Sequence, residues 1–150
     1  MAEFTREKRL RTRSVAGTIA LGEMMTELLR APKLVLLRGD LGAGKTTLVK
    51  GMAAALGAAE ADDVASPTFT LVHEYRGRTL RLFHLDLYRL EKESELEALG
   101  VWEMLDQPDA LVLVEWGERF PGLVSRADAE VLIEGGENET ERLLLVRWTG

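Results

Sequence analysis

Cysteine is absent from this 150-residue chain, which excludes disulfides and any thiolate metal site. That absence fits a reducing compartment, and a cytoplasmic location is the expectation. Histidine is limited to two residues, His73 and His84, so a zinc site is not expected either. The chain holds a single asparagine, Asn138, followed by Glu139. The Asn-Lys-x-Asp signature with which GTPases read their base is therefore missing, and ATP is the expected nucleotide for any nucleotide site. No apolar run reaches the roughly 18 residues of a membrane span, and no signal-peptide pattern opens the sequence, so no membrane association is expected. Basic residues are outnumbered 19 to 25, for a net charge of −6, which argues against a nucleic-acid footprint spread over the whole surface. The one basic concentration is Arg6, Lys8, Arg9, Arg11 and Arg13, read as a solvated N-terminal arm over residues 1–13. Residues 14–150 suit one domain, since a chain of this length buries about two-thirds of its unfolded surface.

What the sequence does contain is a complete G-x-x-x-x-G-K-[ST] phosphate-binding loop, Gly39-Asp40-Leu41-Gly42-Ala43-Gly44-Lys45-Thr46. Its context carries as much weight as its letters. Lys33–Leu37 reads as a buried strand entering the loop, and Thr46–Leu56 as a helix leaving it, the strand–loop–helix setting that this motif requires. The glycines permit positive φ and let main-chain N–H groups close around phosphate oxygens. The helix then aims its positive dipole end at the same anion. Lys45 is expected on the β- and γ-phosphates and the Thr46 hydroxyl on Mg²⁺. Thr47 touches the α-phosphate or simply occupies the first helical turn, and Asp40 is given no phosphate role.

Around this unit the chain reads as an α/β nucleotide-binding domain of three layers, a P-loop NTPase fold with a mixed, mostly parallel sheet. Ser14 caps a helix running to about Arg30, stopped by Ala31-Pro32, with Ile19, Leu21, Met24, Met25, Leu28 and Leu29 as its apolar stripe. Gly57 ends the phosphate-loop helix. Phe69–Tyr75 and Thr79–Tyr88 are β-prone runs joined by Arg76-Gly77-Arg78, an antiparallel hairpin. Ser94-Glu95-Leu96-Glu97 is read as a capping box that starts a helix to about Leu105. Ala110–Glu115 is a continuous apolar run, expected as a central parallel strand. Two more strands, about 129–134 and 142–148, close the chain.

Phosphate binding becomes chemistry only with a metal-organising carboxylate on a neighbouring strand end. Leu111-Val112-Leu113-Val114-Glu115 has the four-apolar-then-acid pattern, and Asp86 is an acid within the apolar Phe83–Tyr88 run. A buried carboxylate costs several kcal/mol without a partner, so each must meet a cation or hydrogen-bond donors. A structural salt bridge is the alternative for either. Ser66-Pro67-Thr68-Phe69-Thr70 has the hydroxyls of a nucleotide-sensing segment, or is a strand-entry turn. His84 reads as a structural residue, and Trp116 either borders the nucleotide or packs in the core. No arginine finger is evident, Arg89 and Arg119 being nearest to the two acids in sequence. A lone domain of this kind is expected to be a slow, partner-dependent ATPase. A small-molecule kinase, with Asp86 as base toward a substrate hydroxyl, is the alternative.

Read in order, residues 39–47, Ser66-Pro67-Thr68-Phe69-Thr70-Leu71-Val72, His84-Leu85-Asp86-Leu87-Tyr88-Arg89-Leu90 and Glu115-Trp116 resemble the TsaE (YjeE) family, over about residues 14–148. Its members are small bacterial P-loop ATPases required for N6-threonylcarbamoyladenosine at position 37 of tRNAs that read ANN codons. They work with TsaB, TsaD and TsaC, bind the TsaB–TsaD pair, and do not make the threonylcarbamoyl group themselves. The resemblance implies ATP and Mg²⁺ as cofactors and tRNA as an indirect partner through the complex. It implies nucleotide contacts from Gly39, Leu41, Gly42, Ala43, Gly44, Lys45, Thr46 and Thr47, with Thr46 and Glu115 on Mg²⁺. It implies Asp86, beside Lys45, as the acid essential for hydrolysis, the Thr68–Thr70 segment as a switch-like loop, and Trp116 near the nucleotide. The basic N-terminal arm is longer than the family pattern needs.

Overall fold

Two central strands are apolar at every interior position, and such strands need cover on both faces. In β2 (Lys33–Arg38), Val35 and Leu37 join one core cluster while Leu34 and Leu36 join another. In β5 (Ala110–Glu115), Leu111 and Leu113 fall in the first cluster, and Ala110, Val112 and Val114 in the second. The cover follows from this alternation. Helices α1 (Val15–Leu28) and α2 (Lys45–Ala55) supply Leu21, Met25, Leu48, Val49 and Met52 to the first cluster. Helices α3 (Glu93–Leu99), α4 (Val101–Leu105) and α5 (Pro121–Arg126) supply Leu96, Val101 and Leu123 to the second. The three-layer α/β architecture is thus borne out. The computed structural model describes residues 4–29, 33–39, 44–57, 72–78, 80–136 and 139–149.

The remaining strands are β1 (Arg6–Thr12), β3 (Val72–Arg76), β4 (Arg81–Asp86), β6 (Ala129–Gly135) and β7 (Arg142–Trp148), and the sheet order is β1-β7-β6-β2-β5-β4-β3. The block β6-β2-β5-β4 is parallel, while β3, β7 and β1 attach antiparallel. The expected hairpin is present as β3–β4; its first residues, Phe69–Leu71, lie outside the described segments, as do Ala31-Pro32. Among the described residues no helix is long and apolar enough to cross a membrane.

The two helices on the first face touch backbone to backbone. A Cβ on Gly22 would lie 2.5 Å from the Leu48 carbonyl oxygen, and one on Gly51 would overlap the Ile19 carbonyl. Ser14 caps α1 as expected, its hydroxyl accepting from Gly17 N–H at 3.0 Å. The Met24–Met25 pair is core material, Met25 being fully buried and Met24 packed against the same cluster.

Three expectations need correction. Residues 6–12 are not a loose arm but an edge strand, in register with β7 from Arg6↔Trp148 to Thr12↔Arg142. Leu10 packs inward and Thr12 is buried, while Arg6, Lys8, Arg9 and Arg11 are all exposed, a charge load that suits an edge. The helix expected from Ser94 to Leu105 is broken at Gly100, whose φ of 77° ends α3 and starts α4. Its N-cap is Lys92 rather than Ser94, and the Glu95 carboxylate accepts from the Glu91 and Lys92 N–H groups at 3.0 and 3.1 Å. The short turn Gly117–Arg119 and α5, with Pro121 at its first position, complete the second face.

Candidate nucleotide site

Parallel pairing brings the C-terminal ends of β2, β4 and β5 to one edge of the sheet. Leu37 lies opposite Glu115, and Glu115 lies opposite Asp86. Strand alternation then decides which way the acids point. Glu115 shares its face with Leu111 and Leu113, while His84 and Asp86 share theirs with Leu82, and all three leucines belong to the cluster beneath α1 and α2. Lys45, the first residue of α2, enters on that same face. The edge where a parallel α/β sheet binds ligands therefore carries two acids, a histidine and a lysine.

The ammonium of Lys45 is enclosed, its side chain only 7% exposed. It donates to the Gly39 carbonyl at 2.7 Å, lies 3.3 Å from Glu115 Oε1, and sits 5.2 Å from the Trp116 ring. The other oxygen of Glu115, Oε2, is 2.6 Å from His84 Nε2. Burial pushes the Glu115 carboxyl up, but the hydrogen bond and charge of His84 and the ammonium of Lys45 outweigh it and hold the group below the usual glutamate range. Asp86 is equally buried, and its Oδ1 accepts the Tyr88 N–H at 2.9 Å. The residue after Glu115 breaks conformation: Trp116 has φ 66°, the only positive value among the described non-glycine residues. That turn sets its ring 5.0 Å from Tyr88. Such strain in a bulky residue persists only where the surroundings enforce it.

The mouth of α2 is built for an anion. Gly44, with φ 100°, precedes the helix, and no side chain caps the first turn, which holds Thr46 and Thr47 half-buried. N–H groups left without a side-chain cap at a helix start are donors for phosphate. A side chain at Gly44 would be strained by φ, and its Cβ would press on the Arg142 guanidinium at 3.2 Å.

A family model described as "Threonylcarbamoyl adenosine biosynthesis protein TsaE" matches residues 12–144. The chain belongs to the TsaE family. It is 46% identical over 107 residues to the tRNA threonylcarbamoyladenosine biosynthesis protein TsaE of Nostoc sp., an alignment covering 70% of this chain and 65% of that protein. With the protein of the same name from Treponema pallidum it shares 37% over 133 residues, covering 86% and 96%. With that of Mycobacterium tuberculosis it shares 36% over 141 residues, covering 89% and 83%. The chain thus spans just under two-thirds of the Nostoc protein and nearly all of the Treponema one. Among solved structures, the crystal structure of YdiB from Bacillus subtilis superposes with a TM-score of 0.72 at 26% identity, over 99% of this chain and 90% of that one.

In this TsaE-family chain the site brings together Gly39, Gly44, Lys45, Asp86, Glu115 and Trp116, with Thr46 and Thr47 in the adjoining helical turn. Leu41, Gly42, Ala43, Asp40 and the Ser66–Thr70 segment, including Thr68, lie outside the described residues. Arg119, one of the two arginines near the acids in sequence, is committed elsewhere. Its Nη2 donates to the carbonyls of Leu87, Tyr88 and Leu90, which fixes the turn that holds Tyr88 against Trp116. His84 is the residue whose place the sequence did not reveal. Its signal was the period-2 alternation, which puts residues 84 and 86 on one face.

The donor set suits Mg²⁺ bound with phosphates. Among the described residues no three His, Cys, Asp or Glu side chains converge to hold a metal by themselves. Mg²⁺ asks for less, taking one or two carboxylates plus substrate phosphate oxygens and waters. Glu115 and the Thr46 hydroxyl offer hard oxygen donors of that kind beside the lysine.

Proposed function

We propose that this chain is a P-loop ATPase that serves N6-threonylcarbamoyladenosine formation at position 37 of tRNA. In this reading it acts as an accessory subunit, and ATP hydrolysis drives or resets its complex with the TsaB–TsaD pair. One observation carries the nucleotide part: the Lys45 ammonium, at the uncapped start of α2, lies 3.3 Å from the Glu115 carboxylate at the end of β5. The pathway rests on membership of the TsaE family and on the printed names of its relatives.

Bound Mg²⁺ would neutralise phosphate charge, and Thr46 with Glu115 would hold it. The chain's own residues do the remaining work. Lys45 binds phosphate oxygens, and the N–H groups at the start of α2 receive them. Asp86, with one oxygen fixed by Tyr88 N–H, orients the attacking water or the metal's water shell. Trp116 and Tyr88 form a ring wall beside the lysine. Arg119 is occupied by three carbonyls, which accords with slow turnover in the absence of a partner.

The test is complementation of a bacterial strain lacking TsaE, read as N6-threonylcarbamoyladenosine in its tRNA, alongside ATP turnover of the purified chain. Wild type restores the nucleoside and hydrolyses ATP, and Lys45→Ala does neither. An expressed wild-type chain that restores nothing would defeat the pathway reading, and turnover undiminished in Lys45→Ala would defeat the site. ADP release that rises steeply with one added metabolite would favour a kinase instead.

A further inference from the structure

His84 has no solvent exposure and one polar contact among the described residues, Nε2 to Glu115 Oε2 at 2.6 Å; its Nδ1 has no hydrogen-bond partner there. A carboxylate only accepts, so the proton between them belongs to Nε2, which donates. Glu115 is buried beside it and divides its oxygens, Oε1 toward Lys45 and Oε2 toward His84. The lysine contact is the longer of the two, and Lys45 also has the Gly39 carbonyl. Lys45 is also the residue that phosphate must recruit. When it turns to phosphate, Glu115 loses a cation while still buried, and a buried carboxylate short of partners reorients.

From this geometry we infer that His84 is the positioning residue of the site: its Nε2–H pins Glu115 Oε2 so that Oε1 stays aimed at the mouth of α2 whether or not Lys45 is engaged. The inference rests on the nucleotide reading above. It adds a residue that acts only through Glu115, comparable to the outer partners that orient metal-binding side chains, whose loss costs about 10–100-fold in metal affinity or activity. A packing role alone would be met by any apolar side chain of similar size, since the neighbouring positions on this face are leucines.

The experiment compares the full chain with His84→Leu and His84→Gln. Glutamine can present an N–H near the position of Nε2, whereas leucine only fills space. Measured are kcat, KM for ATP, the Mg²⁺ concentration at half-maximal turnover, and the thermal midpoint. The expected result for His84→Leu is a Mg²⁺ midpoint raised about 10–100-fold with lowered kcat and a KM for ATP within about threefold. His84→Gln is expected to recover at least tenfold of the lost Mg²⁺ affinity. A His84→Leu protein that folds and keeps the wild-type Mg²⁺ midpoint overturns the inference. So does a His84→Gln protein as impaired as His84→Leu. If the leucine variant does not fold, the glutamine variant decides alone, and a Mg²⁺ midpoint more than tenfold above wild type overturns the inference. A second readout needs no turnover: in ¹⁵N spectra of the nucleotide-free chain, Nε2 of His84 should bear a proton, and that resonance should move in Glu115→Gln. An unmoved resonance overturns the pairing, while a wild-type chain that neither binds nor cleaves ATP overturns the function and leaves this readout standing.

Discussion

Replacing Glu115 by glutamine keeps the side chain's shape and removes its charge from a cluster in which Lys45 and His84 both bond to it. The Lys45 side chain, 7% exposed, would be left with the Gly39 carbonyl and face an amide at the position of a carboxylate. Breaking a buried ion pair by removing one partner costs about 3–5 kcal/mol. Here the amide oxygen can still accept from His84, so we expect a loss of about 1–3 kcal/mol at pH 7, the range for one charged hydrogen bond left unmade. With an m-value near 2 kcal/mol/M, the urea midpoint falls by about 0.5–1.5 M. The pH dependence fixes the sign. Glu115 is held below its ordinary value in the folded chain, so its contribution is complete above the unfolded pKa of about 4.3 and is lost as the pH falls through the lower folded value. The gap between wild type and Glu115→Gln is therefore constant from pH 7 to about 5 and narrows as the pH falls further below 4.3. Urea titrations at pH 7, 5 and 3.5 measure it. A variant as stable as wild type at pH 7, or a gap that widens on acidification, would refute the reasoning.

Gly51→Ala gains about 1 kcal/mol in helix propensity yet drives a methyl into the Ile19 carbonyl of α1. A net loss of about 1–2 kcal/mol in urea unfolding is expected. Leu113→Ala empties the layer beneath Glu115, where Leu113 is 1% exposed, and should cost about 2–5 kcal/mol in the same assay. Arg119→Ala frees the carbonyls of Leu87, Tyr88 and Leu90; amide hydrogen exchange across residues 87–90 should speed by about tenfold or more, for a loss of about 1.4 kcal/mol locally.

How much of this was legible in the sequence depends on how many faces each element buries. β5 was plain because both its faces lie in the core, which leaves an unbroken apolar run ending in an acid. The setting of Lys45 was equally plain, since the strand before it and the helix it opens are close in sequence. β1 was hidden because an edge strand needs little apolar content, and Leu10 is its single large inward side chain. The break at Gly100 was hidden because the residues on either side of it share one helical pattern, and only a left-handed φ divides them. His84 was hidden for another reason. A histidine inside a strand is ambiguous until the register of β4 against β5 is known, and that register, Asp86 opposite Glu115, is a tertiary fact.

The pairing of Leu10 with Leu144 in the β1–β7 ladder has a consequence for how the molecule is made. At about 5–20 residues per second, the ribosome releases the first strand several seconds before the seventh exists. Throughout that interval β1 has no neighbour to pair with, and its basic side chains keep it in water and oppose pairing with a second copy of the same strand. The same charges that disguise it as a tail make it safe to wait. Its docking is then among the last events of folding, and a chain halted before residue 142 would leave both strands' places at that end of the sheet empty.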